Sequence, residues 1–157
     1  MDDLHATIES TVAAFFEGYA LAARDKNASL ISTTLSADCK RYLKPSSFTA
    51  AYPFIKAVET NAEYEARMGP EIATMEETRF KVLESVIDPA KRKASASTEY
   101  WLKIAGSAPT TMEICWYFDF TDDGKKISRI VEFIDTATSV KVIEDIIKQM
   151  KKDSGAP

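Results

Sequence analysis

Two alternating runs joined by an Asp-Gly pair constrain the fold more than any other part of this chain. They are "TMEICWYFDF" (111–120) and "KISRIVEFID" (126–135), with "TDDGK" between them. Both are rich in strand formers, and Asp-Gly between such runs is a strong hairpin signal. Two further runs precede them, "TRFKVLESVID" and "ASASTEYWLKI", bounded by Asp88-Pro89 and by the turn from Gly106 to Pro109. Strands with connections this short pair as an antiparallel meander.

If Asp123 and Gly124 form a two-residue turn, Asp122 pairs with Lys125, Thr121 with Lys126, Tyr117 with Ile130 and Cys115 with Glu132. One face then collects Glu113, Cys115, Tyr117, Asp119, Ile130, Glu132 and Ile134. The other collects Met112, Ile114, Trp116, Phe118, Phe120, Ile127, Val131 and Phe133, with Arg129. A bulge or one-residue slip would swap partners across the hairpin but not the alternation within each strand. The second face is continuously apolar, so helices or another subunit must cover it. The first mixes acids, a thiol, a phenol and aliphatics; it is either a solvated face or the wall of a cavity. Tyr100 and Thr98 join it if the preceding hairpin pairs in the simplest register. Glu132 is the residue that most needs explaining, because a carboxylate inside an apolar run is costly to bury.

The N-terminal half reads as helices. Over residues 4–24, Ile8, Val12, Phe15, Phe16, Tyr19 and Ala23 recur at spacings of three and four. A shorter helix is expected over 28–35, then a short strand in "ADCKRYLKP" closed by Pro45. Turns and a helical piece are expected around 54–58. Asn61 is placed to cap a third helix, in which Tyr64 and Met68 share a face and which Pro70 kinks or ends. A last amphipathic helix carries Val140, Ile143, Ile147 and Met150, with Asp135 as its cap. Helices followed by a strand meander define an α+β class, with helices packed on one face of a curved sheet. The 157 residues suit a single domain, 1–152, with a loose tail over 153–157.

Composition narrows the chemistry. There is one histidine, His5, and no Cys-x-x-Cys, His-Glu-x-x-His, dinucleotide or phosphate-loop motif. A Ser-His-Asp triad and a zinc or iron site are thereby disfavoured, and the expectation is chemistry by carboxylates, tyrosines, arginine or cysteine, with no cofactor and no metal. Net charge is −4 and no basic stripe with interleaved aromatics occurs, so nucleic acid is not an expected partner. The acidic "MDDLHATIES" start and the lack of a long apolar run predict no membrane insertion and a cytoplasmic protein. Cys39 and Cys115 are then expected as reduced thiols.

Three phrases, "SADCKRYLKPSSF", "NAEYEARM" and "DGKKISRIVEFIDT", resemble the SnoaL-like branch of the nuclear transport factor 2-like superfamily, in a form common in fungal natural-product clusters. The resemblance implies a cone-shaped α+β barrel, with a strongly bent, mostly antiparallel sheet wrapped around the long first helix and a deep pocket between them. It implies a homodimer formed through the outer face of the sheet. It also implies a cofactor-independent isomerase or cyclase acting on a hydrophobic small molecule: a polyketide, meroterpenoid or alkaloid intermediate of fungal secondary metabolism. A dehydratase, a non-catalytic small-molecule-binding protein and a purely structural dimerisation module are the alternatives.

Carried over residue by residue, the resemblance makes Glu132 a pocket acid or base; otherwise it is a surface charge or the salt-bridge partner of Arg41. Arg41 occupies the position after the cysteine that is often histidine in relatives. Arginine is no general base at neutral pH, so Arg41 becomes an anchor for an anion or carbonyl; otherwise it is a surface arginine on an edge strand. Tyr117 completes the catalytic set as a hydrogen-bond donor, with Tyr100 beside it. Cys115, Glu113, Tyr19, Tyr64, Met68 and Phe16 are the expected substrate-lining residues, although the tyrosines, Phe16 and Met68 serve equally well as core packing and Cys115 as a small buried hydrophobe.

Overall fold

The computed structural model describes residues 2–155. Four helices pack against one six-stranded mixed sheet. Helix α1 (Asp2–Asp25) leads through a 3₁₀ turn (Ala28–Ser32) into β1 (Leu35–Lys44), α2 (Ser46–Ala51), β2 (Val58–Thr60) and α3 (Asn61–Thr74). The second half is β3 (Met75–Asp88), β4 (Lys93–Ile104), β5 (Thr110–Phe120), β6 (Ile127–Ile134) and α4 (Thr136–Asp153). Part of the tail expected over 153–157, residues 156–157, lies outside the described residues.

The α+β expectation holds. The sheet order is β2-β1-β6-β5-β4-β3, so the sheet is open, with β2 and β3 at its edges, and the barrel does not close. The meander β3 to β6 is antiparallel throughout; β1 joins β6 in parallel and carries β2 on its far side. Helix α1 lays Ile8, Val12, Phe15, Phe16 and Tyr19 on the inner face, against Trp116, Phe118, Ile127 and Ile130. Phe15 contacts Trp116 and Phe118 edge to face, at 5.4 and 5.3 Å between ring centres. Gly18 permits the 3₁₀ turn to come this close, since a Cβ there would stand 2.9 Å from the Leu30 carbonyl oxygen.

The final hairpin follows the expected register only as far as Phe120 opposite Ile127. Ser128 is then an extra residue on β6, a bulge, and Asp119 faces Arg129. From there every β6 side chain changes face. Trp116, not Cys115, lies opposite Glu132, and Tyr117 lies opposite Val131. The inner face therefore holds Ile114, Trp116, Phe118, Ile130 and Glu132, while Val131, Phe133 and Arg129 turn outward. Tyr100 and Thr98 pair with Met112 and Ile114 and face inward as well.

Three other expectations are corrected. The piece around 54–58 is not helical; the helix is α2, and Val58–Thr60 form an edge strand. The cap of α3 is Thr60, whose hydroxyl accepts from the Glu63 amide while Glu63 accepts from the Thr60 amide, a reciprocal capping box. Helix α3 continues past Pro70 to Thr74. Asp135 does cap α4, accepting from the Thr138 amide. No helix among the described residues is long and apolar enough to cross a membrane.

Candidate functional site

Residues of β1 alternate between faces, so Cys39, Arg41 and Leu43 point inward. Arg41 thus enters the core beneath α1 and α3 and is only 3% exposed. A buried guanidinium requires charge and hydrogen-bond partners. Its Nη1 donates to Glu132 Oε2 and to the Tyr19 hydroxyl, both at 3.0 Å. Its charged plane lies 3.6 Å from the centre of the Tyr64 ring, a cation–π contact in a desolvated site. The Tyr19 and Tyr64 hydroxyls are 2.9 Å apart. Three elements and the bulged β6 therefore converge on one hydrogen-bonded chain, Glu132–Arg41–Tyr19–Tyr64. The Arg41 Nη2 group is buried without a hydrogen-bond partner among the described residues.

Above this network lies a cavity of about 120 Å³. Its wall is mostly apolar, including Phe80, Ile114 and Val142, and its polar groups come from Tyr19, Tyr64, Arg67, Glu71, Tyr100, Glu132 and Ser139. Its roof is the end of β1 and the segment after it, where Leu43, Phe48 and Ile55 form a small cluster separate from the main core. Burial raises the Tyr19 hydroxyl to about 12, against the lowering influence of Arg41. Burial likewise holds Tyr64 and Tyr100 well above the ordinary phenol range. These phenols stay protonated at neutral pH and act as donors.

Tyr19, Tyr64, Met68, Tyr100 and Glu132 all line the cavity, and Arg41 supports it from below. Phe16 is buried in the aromatic core, 5.0 Å from the Phe80 ring, and is not part of the wall. Tyr117, Cys115 and Glu113 are exposed on the opposite face of the sheet, Tyr117 by 53%. The bulge at Ser128 explains the error: without it, Glu132 would share their face. Arg41 is no edge-strand surface group, because β1 lies between β2 and β6.

Among the lining residues the sequence did not point to are two charged ones, Arg67 and Glu71. Arg67 and Glu71 follow Tyr64 by three and seven residues on α3, the same stripe as Met68. The shared face of Tyr64 and Met68 carries the signal for both; the kink or end expected at Pro70 left Glu71 off that stripe. Arg67 is clamped by Glu59 of β2, Nε to Oε1 at 2.7 Å and Nη2 to Oε2 at 2.9 Å. Burial raises the Glu71 carboxyl above the usual range, Arg67 opposes this, and Glu132 adds to it. No cluster of potential metal ligands occurs among the described residues.

No family model matches the sequence, and a comparison with curated proteins found no match. Solved structures are similar in fold. BvnE pinacolase from Penicillium brevicompactum aligns over 92% of this chain and 94% of its own, with 15% identity and a TM-score of 0.78. AusH from Aspergillus nidulans aligns over 83% of this chain and 84% of its own, with 18% identity and a TM-score of 0.70. An NTF2-like protein of unknown function from Burkholderia pseudomallei covers 87% and 97%, with 14% identity and a TM-score of 0.65. At these identities the likeness speaks for the fold. The chain adopts the nuclear transport factor 2-like fold, an α+β shell around an apolar pocket, and shares it with proteins of fungi such as BvnE and AusH.

Proposed function

We propose that this protein is a cofactor-independent isomerase or cyclase that acts by acid–base catalysis on a polyketide, meroterpenoid or alkaloid intermediate of fungal secondary metabolism. The observation that carries the reading is the buried Glu132–Arg41–Tyr19–Tyr64 chain set against an apolar cavity. Such a site can orient one substrate conformer and exclude water. Glu132 accepts a proton from the substrate, and the product receives one in return. Arg41 donates to Tyr19; Tyr19 in turn donates to Tyr64, leaving the Tyr64 O–H free for an oxygen that gains negative charge. The fold neighbour described as a pinacolase is consistent with skeletal rearrangement as one such reaction.

The second reading is a non-catalytic binding protein. It needs the same apolar cavity and no chemistry, whereas the cavity's size, about 120 Å³ against roughly 300–1,000 Å³ for most ligand sites, counts toward a structural module whose interior is filled by side chains. The test is incubation of wild type and Glu132→Gln with cyclic α-ketols and β,γ-unsaturated ketones of these three classes. Acceleration by wild type, reduced about 100-fold or more in the variant, is expected. Binding with only the spontaneous product ratio from both proteins would leave the binding reading.

We also assign the exposed outer face, where Val86, Tyr117 and Phe133 stand, as the surface of a homodimer. Tyr117→Glu should then halve the sedimenting mass, and an unchanged mass would remove this assignment.

A further inference from the structure

The cavity wall holds a second carboxyl that the mechanism above does not use. Glu71 lies on α3 one turn beyond Arg67 and two beyond Tyr64, and it lines the cavity. It is half-buried, and among the described residues its carboxyl has no hydrogen-bond or ion-pair partner. The natural partner by helical spacing is Arg67, four residues earlier. Arg67 is engaged instead by both oxygens of Glu59, which is itself only 3% exposed. The charged and titratable groups that line the cavity with Glu71 are Tyr64 and Arg67 on its own helix, Glu132 from β6, Tyr100 from β4, and Tyr19 from α1. Helix α4 contributes only Ser139, Val142 and Ile143 to the wall.

Two carboxyls thus face one apolar cavity in unlike surroundings: Glu132 is ion-paired and Glu71 is unpaired. Such divergence is how a site separates a base from an acid. We propose that Glu71 is the proton donor to the substrate oxygen, complementary to Glu132 as base, and that Glu59 is the positioning residue that keeps Glu71 unpaired by holding Arg67. This rests on the isomerase reading. In the step, the Glu132 carboxylate accepts the proton of the O–H or C–H bond that breaks. The released electron pair moves into the substrate's rearranging bonds, and the carbonyl oxygen takes the Glu71 proton. In an α-ketol this completes the exchange, and the proton taken up by Glu132 passes to Glu71 through solvent; in a β,γ-unsaturated ketone Glu132 gives its proton to the γ carbon of the dienol while the enol O–H returns its proton to Glu71, so the substrate's composition is unchanged and the site is restored.

The experiment is a carbon-13 NMR titration of glutamate-labelled wild type, Glu71→Gln and Glu59→Gln, needing no ligand. The Glu71 signal, identified by its loss in Glu71→Gln, is expected to titrate above the ordinary glutamates. In Glu59→Gln it should move down, because Arg67 is freed to pair with it. The second arm measures isomerisation of the β,γ-unsaturated form of cyclohexenone against pH. Glu71→Gln should lower kcat about 100-fold or more and remove the alkaline limb of the profile. A Glu71 signal that titrates with the surface glutamates overturns the proposal, whether or not Glu59→Gln folds. So does full kcat in Glu71→Gln on a ketone that Glu132→Gln no longer converts, an outcome that leaves the isomerase reading standing. If wild type accelerates no ketone, the isomerase reading fails and the role of Glu71 fails with it.

Discussion

Replacing Arg41 by methionine isolates what the buried network contributes to stability. The substitution keeps much of the aliphatic volume and removes the charge. It deletes one charged hydrogen bond to Glu132, one to Tyr19 and the cation–π contact with Tyr64. It also strands Glu132, which is buried in the fold. Breaking a buried pair by removing one partner costs about 3–5 kcal/mol. For a chain of this size that corresponds to a fall in Tm of roughly 6–20 °C, at about 2–4 °C per kcal/mol. Adding Glu132→Leu should recover most of the loss, because a well-packed apolar pair commonly equals or exceeds a buried ion pair. Arg41→Met itself already removes the unpartnered Arg41 Nη2 group, which offsets a little of its cost. The assay is a double-mutant cycle by urea denaturation on wild type, both single variants and the double. A loss below about 1 kcal/mol for Arg41→Met, the range of exposed ion pairs, would refute the claim that Arg41 and Glu132 depend on each other.

Other outcomes follow from single features. Gly18→Ala should destabilise by about 1–3 kcal/mol, read by thermal melting, because its Cβ would press on the Leu30 carbonyl; an unchanged Tm would count against that close approach. Thr60→Ala should cost about 1 kcal/mol through loss of the capping box at α3, measured by the same melts. Tyr19 sets an alkaline limit. Its hydroxyl is raised to about 12 in the folded protein and titrates near about 10 when unfolded. The folded state therefore binds the proton more tightly; this stability is fully present below about 10 and is lost as pH rises toward about 12. Tyr19→Phe should flatten the fall in stability over that window, and an equally steep fall would show that Tyr19 does not contribute.

The α+β class, α1, the four-strand meander and the Asp135 cap were legible because each rests on local periodicity or local capping chemistry. Glu132, Tyr19, Tyr64, Met68 and Tyr100 line one cavity, although for Glu132 and Tyr100 the strand argument named the wrong neighbours, Cys115 and Tyr117. The misplacement of Tyr117, Cys115 and Glu113 has one origin, the bulge at Ser128. No glycine marks that bulge; the available signal was the three-residue spacing of Ile127 and Ile130, which share the inner face only if a residue between them is extra. Glu71 was hidden by Pro70, which weakens a helix locally while tertiary packing of Met68 and Ile72 carries it onward. Arg41 as a buried group was beyond local reasoning, since its partners Tyr19, Tyr64 and Glu132 lie on three other elements.

A strand is read in steps of two, and an extra residue is a shift of frame. Ser128 shifts the frame of β6 just before its only acid, so a count rather than a residue identity decides which side of the sheet receives Glu132. Chains of this fold could therefore gain or lose an interior carboxylate by one insertion or deletion in the last hairpin, with the cavity side chains of the other elements left as they were and only Ile134 of the lining moving with it. Aligning such sequences column by column would conceal that change, because the same motif can serve the pocket in one chain and the solvent in the next.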